Sequence, residues 1–373
     1  MSAIRTIDEF EAEYRKGLGE PLPLHPWRTV SEESIRRFGD GVGDYNPLFR
    51  ERGYARDGRF GDLVAGPAFI FAVNLGVMAS LYGHLAPADV STRDLTLLYL
   101  GADVTWHRPL WLGDRVRAVE RPVAVERRRL RQIENGLVCT GRTDYWNSRG
   151  EPVATLHNTM LRFENTGNPV RSAGRNGSSG TEAPDPLVWQ RVRRGAEPLY
   201  WEDVQVGEAI PDLPKGTYTT TELYVFTHGV YDTTRVPAVE EGTVDMGAAG
   251  RADATYAREH RAQEASFDWG PQRVCWLTQA VTDWMGDHGT LVRLDSRIRR
   301  PNLVGDTNVL RGSVLGRSVV DGRHLVTVRV EVRNQGDALT AEGTATVELP
   351  TRGSVTMPDW RGDALAAASG VYR

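Results

Sequence analysis

Along "LVTVRVEV", from Leu325 to Val332, apolar and polar residues alternate strictly. Val326, Val328, Val330 and Val332 share one face, and Thr327, Arg329 and Glu331 share the other. A period of two predicts a half-buried antiparallel strand. "GLVCTGRTDYW" and "GTATVEL" read the same way. The apolar stretch "PAFIFAVNLGVMASLYG" has a different pattern. It predicts a buried helix from Pro67 to Tyr82, with the proline in the first turn, where a missing N–H costs little. A second long helix is expected from about Arg273 to Met285. A short helix precedes each of these, over Ser31–Gly43 and Thr220–Val230. Thr29 and Ser31 mark the start of the first, and Ser31 with Ser34 is a partial capping box. Between these regions, "ENTGNPVRSAGRNGSSGTEAPDP" has almost no large apolar residue. Such a segment cannot bury enough surface to order itself, so it reads as a mobile linker.

The order of elements repeats. "GLGEPLP" resembles "QVGEAIP" and places Gly19 on Gly207, an offset of 188 (207 − 19). The same offset carries Phe38 onto Phe226 and Asp44 onto Asp232. "HRPLWLGD" resembles "RRPNLVGD" at an offset of 192 (306 − 114), and Gly150 falls on Gly336 at 186 (336 − 150). Three ordered matches at nearly constant offset indicate a tandem duplication. The expected organisation is one unit over 1–163, a linker over 164–186 and a second unit over 187–373. Each unit would be α+β, a long helix laid on an antiparallel sheet.

Composition narrows the function only by exclusion. The formal net charge of −4 gives no reason to expect a nucleic-acid partner. Cys139 and Cys275, the only two cysteines, form neither a disulfide framework nor a cysteine-rich zinc site, and they favour a reducing compartment. The charged N-terminus has no apolar core of signal-peptide length, and the most apolar stretch is short for a membrane span. The expectation is a soluble, cytoplasmic protein. HExxH spacing is absent, and no GxGxxG follows a strand, so neither a metal nor a dinucleotide is implied.

"VGDYNPLFRERGYA", "FGDLVAGPAFIF" and "HRPLWLGD" in the first unit, with "YWEDVQVGEAIP", "WLTQAVTDWMGDHG" and "RRPNLVGDT" in the second, resemble the MaoC-like hydratase/dehydratase family. The first unit is similar to the dehydratase-like N-terminal domain of fused members. The resemblance implies a double hot-dog fold and reversible hydration of an enoyl thioester carried on coenzyme A or an acyl carrier protein, with no cofactor. It also implies a fused pair that satisfies hot-dog pairing within one chain, with a further homodimer left open. In the family pattern Asp-x-Asn-Pro-x-His, an Asp–His pair moves the proton or activates water, and a backbone N–H near a glycine polarises the thioester carbonyl.

Here Asp44, Asn46 and Pro47 match, Phe49 stands in the histidine position, and Gly66 matches the oxyanion-side glycine. In the second unit Asp232 falls on Asp44, and the histidine is again missing. Asp44 reads as a base or as a brace for its turn, and Asn46 as a holder of the loop. His228 lies four residues before Asp232, so on one helix the two would share a face as a relocated base; otherwise His228 is a plain helix-end histidine. Tyr45 and Tyr231, each preceding an aspartate, could donate a proton or pack. Trp276, with Trp269 and Trp284, could line a pocket for a large flat substrate or fill the core. Phe49 would be an apolar pocket wall. The arginines of "VERRRLRQ" suit a phosphopantetheine or acidic carrier, or a solvated strand edge. His107 and His288 are read as structural. Two functions follow. One is a divergent dehydratase acting on an acyl thioester or a bulky β-hydroxy ketone, such as a dehydrating cyclase of a polyketide-like intermediate. The other is a non-catalytic acyl-binding subunit.

Overall fold

The computed structural model describes residues 3–91, 94–130, 133–166, 191–230, 239–240, 243–244, 253–260 and 263–353. Tyr231, Asp232 and nearly all of the expected linker therefore lie outside the described residues.

Ten strands form one antiparallel sheet. Its seam pairs Leu95–Trp106 with Thr290–Ile298, running from Thr105 opposite Arg293 to Gly101 opposite Arg297. Outward from the seam in the first half come Pro152–Glu164, Ile133–Asn147, Arg115–Leu130 and Arg28–Thr29. In the second half come Leu339–Glu348, Arg323–Asn334, Thr307–Val320 and Ala209–Thr217. The two halves use equivalent strands in the same order. Val326, Val328, Val330 and Val332 are fully buried, while Arg329 is exposed, as their alternation predicts.

The duplication is visible in individual hydrogen bonds. Val30 N donates to Asp114 O and Gly113 N to Val30 O; Tyr218 N donates to Asp306 O and Gly305 N to Tyr218 O. Asp114 Oδ2 accepts from Trp111 N, and Asp306 Oδ2 from Leu303 N, so each aspartate braces the turn ahead of a strand. The helices Glu32–Val42 and Thr220–Val230 cross at a pair of glycines. A Cβ on Gly41 would lie 2.9 Å from Phe226 Cα, and one on Gly229 would lie 3.2 Å from Phe38 Cα. The backbones meet where only hydrogen fits.

Three local outcomes differ from the sequence reading. Ser31 and Ser34 make a complete capping box, because the Ser34 hydroxyl also accepts from Ser31 N. The N-terminal residues form a helix, Ile7–Lys16, whose Ile7, Phe10 and Tyr14 are buried. The long apolar helix of the first unit is interrupted. A 3-10 turn Pro67–Phe69 runs into Ile70–Val73, the chain breaks at residues 74–77, and helix resumes at Met78–Tyr82.

Side chains hold this break in place. Asn74 is extended, its Oδ1 accepts from Gly76 N, and Gly76 is left-handed at φ 64°. The carbonyls released from the helix find donors in Tyr145, Asn158 and Thr143. The buried Glu120 accepts from Asn74 Nδ2 and from Ala79 N, satisfying an N–H in the first turn of the resumed helix. In the second unit Gly270–Met285 is one unbroken helix with all of its residues buried, and it packs on strands of both halves. Among the described residues no single helix is long and apolar enough to cross a membrane.

Candidate active site

The loop carrying Asp44 is shaped by its own polar atoms. The helix Glu32–Val42 ends at Gly43, left-handed at φ 69°. Asp44 Oδ1 then accepts from Asn46 N at 3.1 Å, and Asn46 Oδ1 from Leu48 N at 3.1 Å. Asn46 is buried and caps the 3-10 turn Pro47–Phe49. This turn aims Phe49 at Gly66: a Cβ on Gly66 would lie 3.1 Å from Phe49 Cδ2. Among the described residues no hydrogen bond reaches Asp44 Oδ2, so one oxygen braces the turn and the other remains available.

The second unit fixes this loop from beneath. Val42 O accepts from Lys215 Nζ at 2.8 Å and from Trp276 Nε1 at 3.2 Å, and Gly43 O accepts from Gln279 Nε2 at 3.2 Å. A cation at the last carbonyls of a helix suits the helix dipole. Lys215 also donates to Gln279 Oε1 at 2.7 Å. Its burial and the nearby Arg191 push its pKa down to about 7. One helical turn beyond Gln279, Asp283 is buried with no hydrogen bond to either carboxylate oxygen. Among the described residues its close charge partner is Arg193, whose Nε lies 3.2 Å from Oδ1. Burial first, and the Asp44 carboxylate second, push the Asp283 pKa up to about 7 against the pull of Arg193, Arg191 and Lys215.

Two cavities meet at Phe49, Gly66 and Pro67. The smaller and more polar one, about 460 Å³, lies between Asp44 and Arg50 of the first unit and Thr278, Gln279 and Thr282 of the second. The other, about 650 Å³, is mostly apolar and runs past Trp106, Leu110 and Leu291. An apolar chamber beside a few convergent polar groups is the usual form of a small-molecule site.

The sequence-derived candidates separate in space. Asp44, Phe49 and Gly66 come together on cavity walls. Tyr45 sits between the Arg50 and Arg191 guanidinium groups, at 5.0 and 5.6 Å from the ring centroid, and lines neither cavity. Trp276 is core: it is buried edge-on against Tyr218 and held by Val42 O. His228 does not reach the cavities. It is exposed, because Phe226 and Gly229 of its helix turn inward to the crossing. Lys215 and Asp283 were missed. No motif in the sequence marked either residue. Among the described residues no three His, Cys, Asp or Glu side chains cluster to hold a metal.

Residues 23–156 match the family model of the FAS1-like dehydratase domain region. A UPF0336 protein of Saccharopolyspora erythraea is 30% identical over 149 residues, covering 39% of this chain and 87% of the relative. The chain belongs to the MaoC-like hot-dog family. A solved MaoC-like dehydratase superposes with TM-score 0.67 at 17% identity, covering 91% of this chain and 99% of its own. A Mycobacterium tuberculosis protein with a double hotdog fold gives 0.57 at 13% identity, over 90% of this chain and 97% of its own. A MaoC-like dehydratase of Phytophthora capsici gives 0.52 at 12% identity, over 90% and 98%. These likenesses establish the α+β double hot-dog architecture across both units.

Proposed function

We propose that this MaoC-like protein is a dehydratase/hydratase of a bulky acyl thioester. In this reading a two-carboxylate centre, Asp44 with Asp283, replaces the family's Asp–His pair. The observation that carries it is the smaller cavity lined by Asp44, Gln279 and Thr282, which shares the Phe49–Gly66 wall with a larger apolar chamber; Asp283 follows Thr282 in the chain, just outside the lining. Two titratable groups whose surroundings treat them differently can divide acid and base roles at neutral pH. In the dehydrating direction the Cα proton passes to Asp44 and the Cα=Cβ bond forms. The Cβ–O bond breaks, and the hydroxyl leaves as water with a proton from Asp283. The Gly66 backbone N–H polarises the thioester carbonyl. The acyl chain occupies the apolar chamber, and a coenzyme A or carrier-protein arm enters from the polar side. A β-hydroxy ketone with an acidic Cα proton, as in a dehydrating cyclisation, would use the same groups.

Hydration of crotonyl- and longer or branched enoyl-coenzyme A thioesters, followed by loss of enoyl absorbance, tests this reading. Turnover should rise with acyl bulk, and Asp44→Asn should lower kcat by about 100-fold or more. Phe49, which cannot move a proton, favours a second reading as an acyl-binding subunit. Tight thioester binding with flat absorbance traces throughout would establish that reading and overturn the enzymatic one.

A further inference from the structure

The charged side chains that line the larger, mostly apolar cavity are Arg59 and Arg108. Arg108 is ion-paired with Glu151 and faces the Trp111 ring. Arg59 is different. Its Nη atoms donate to His288 O, Gly289 O and Thr290 Oγ1, all neutral acceptors. Among the described residues it makes no ion pair. Asp287 and Glu348 are the carboxylates that act on it, from beyond contact distance. The Nε atoms of both arginines are buried and take no hydrogen bond. A cation desolvated against an apolar chamber is costly unless a partner arrives. Clamping the loop after the helix Gly270–Met285 accounts for the Nη bonds. The Arg59 guanidinium also lies over the Phe60 ring, 4.3 Å from its centroid, and these contacts leave both Nε–H groups without an acceptor.

We propose that the chamber takes an acyl chain ending in a carboxylate, whose oxygens accept from Arg59 Nε and Arg108 Nε. The proposal rests on the acyl-binding reading of the site, but not on turnover. Arg59 supplies the net positive charge, because Arg108 is already balanced by Glu151. The apolar walls around Leu110 and Leu291 take the methylenes between the thioester end at Gly66 and the carboxylate. A fork of N–H donors around a planar anion is the geometry that arginine offers and lysine does not.

The test is calorimetric binding of hexanoyl-coenzyme A and its ω-carboxyl counterpart, adipoyl-coenzyme A, to the full chain. Both are saturated and do not react, so the result is independent of the hydration assay. The ω-carboxyl thioester should bind at least about 10-fold more tightly, and added salt should narrow the gap. Arg59→Gln should remove the preference for the ω-carboxyl thioester. Arg108→Gln, which leaves the loop clamp intact, should weaken the preference and guards against misfolding of the Arg59 variant. Equal or weaker binding of the ω-carboxyl thioester to the parent protein would overturn the proposal. So would a preference that survives both substitutions. Failure of both thioesters to bind would instead remove the acyl-site reading beneath it.

Discussion

At the scale of single residues, the site depends on where charge is buried. Asp283 has an ordinary pKa near 3.8 and is pushed up to about 7 by burial and by Asp44. Between those values the folded chain keeps a proton that the unfolded chain has released. The group's stabilising contribution is therefore complete below about 3.8 and is lost as pH rises through about 7. An acid that must be protonated gives a rate that falls above the same point. In the parent protein kcat should decline from about pH 7 upward, whereas Asp283→Asn should lose that limb and about 100-fold in rate. Lys215 titrates in the same region and interacts with Asp283, so the limb belongs to the pair. A pH–rate profile unchanged by Asp283→Asn would remove Asp283 from the chemistry. The sequence showed Asp44 and Phe49 through their motif, but it could not show Asp283. In "RVCWLTQAVTDWM" the polar positions look like a solvent face, and only the two-unit packing buries every one of them.

At the scale of elements, the two central helices show how far hydrophobic pattern reaches. The pattern was right that residues 67–82 are buried, and wrong that they form one helix. Apolar content says nothing about where freed backbone groups can find side-chain partners, and here the donors Tyr145 and Asn158 and the acceptor Glu120 come from strands distant in sequence. The capping box at Ser31 and the alternating valines were legible because their causes are local. Gly76 is the fulcrum of the break. Its φ is 64°, and a Cβ there would lie 2.7 Å from both Leu156 Cδ2 and Thr143 Oγ1. Gly76→Ala should therefore cost about 2 kcal/mol or more, from left-handed strain plus crowding. Urea denaturation should show a lower midpoint with an unchanged slope. A midpoint equal to that of the parent would mean that the chain can re-form a continuous helix through residues 74–77.

At the scale of the whole molecule, the two similar units share one main core. Phe38, Val104 and Tyr145 from the first half belong to the same buried cluster as Trp276, Leu294 and Val330 from the second. The sheet crosses the seam without a gap, where Ser296 Oγ donates to Ala102 O and Arg293 pairs with Asp103. The Asp44 loop belongs to the first unit, yet its backbone is held by Lys215, Trp276 and Gln279 of the second. The proposed site therefore draws on both halves. Separately folding domains meet through smaller, more polar interfaces and unfold in separate steps, whereas a shared apolar core couples them. Calorimetry should give one transition for the full chain, with the van't Hoff enthalpy equal to the calorimetric one. Lys215→Met, placed in the second unit, should lower the midpoint reported by probes in both units together. Two resolved transitions, with Lys215→Met moving only the one assigned to the second unit, would show that the shared core does not couple the halves. The Asp44 loop would then be held by contacts that can open while each unit stays folded.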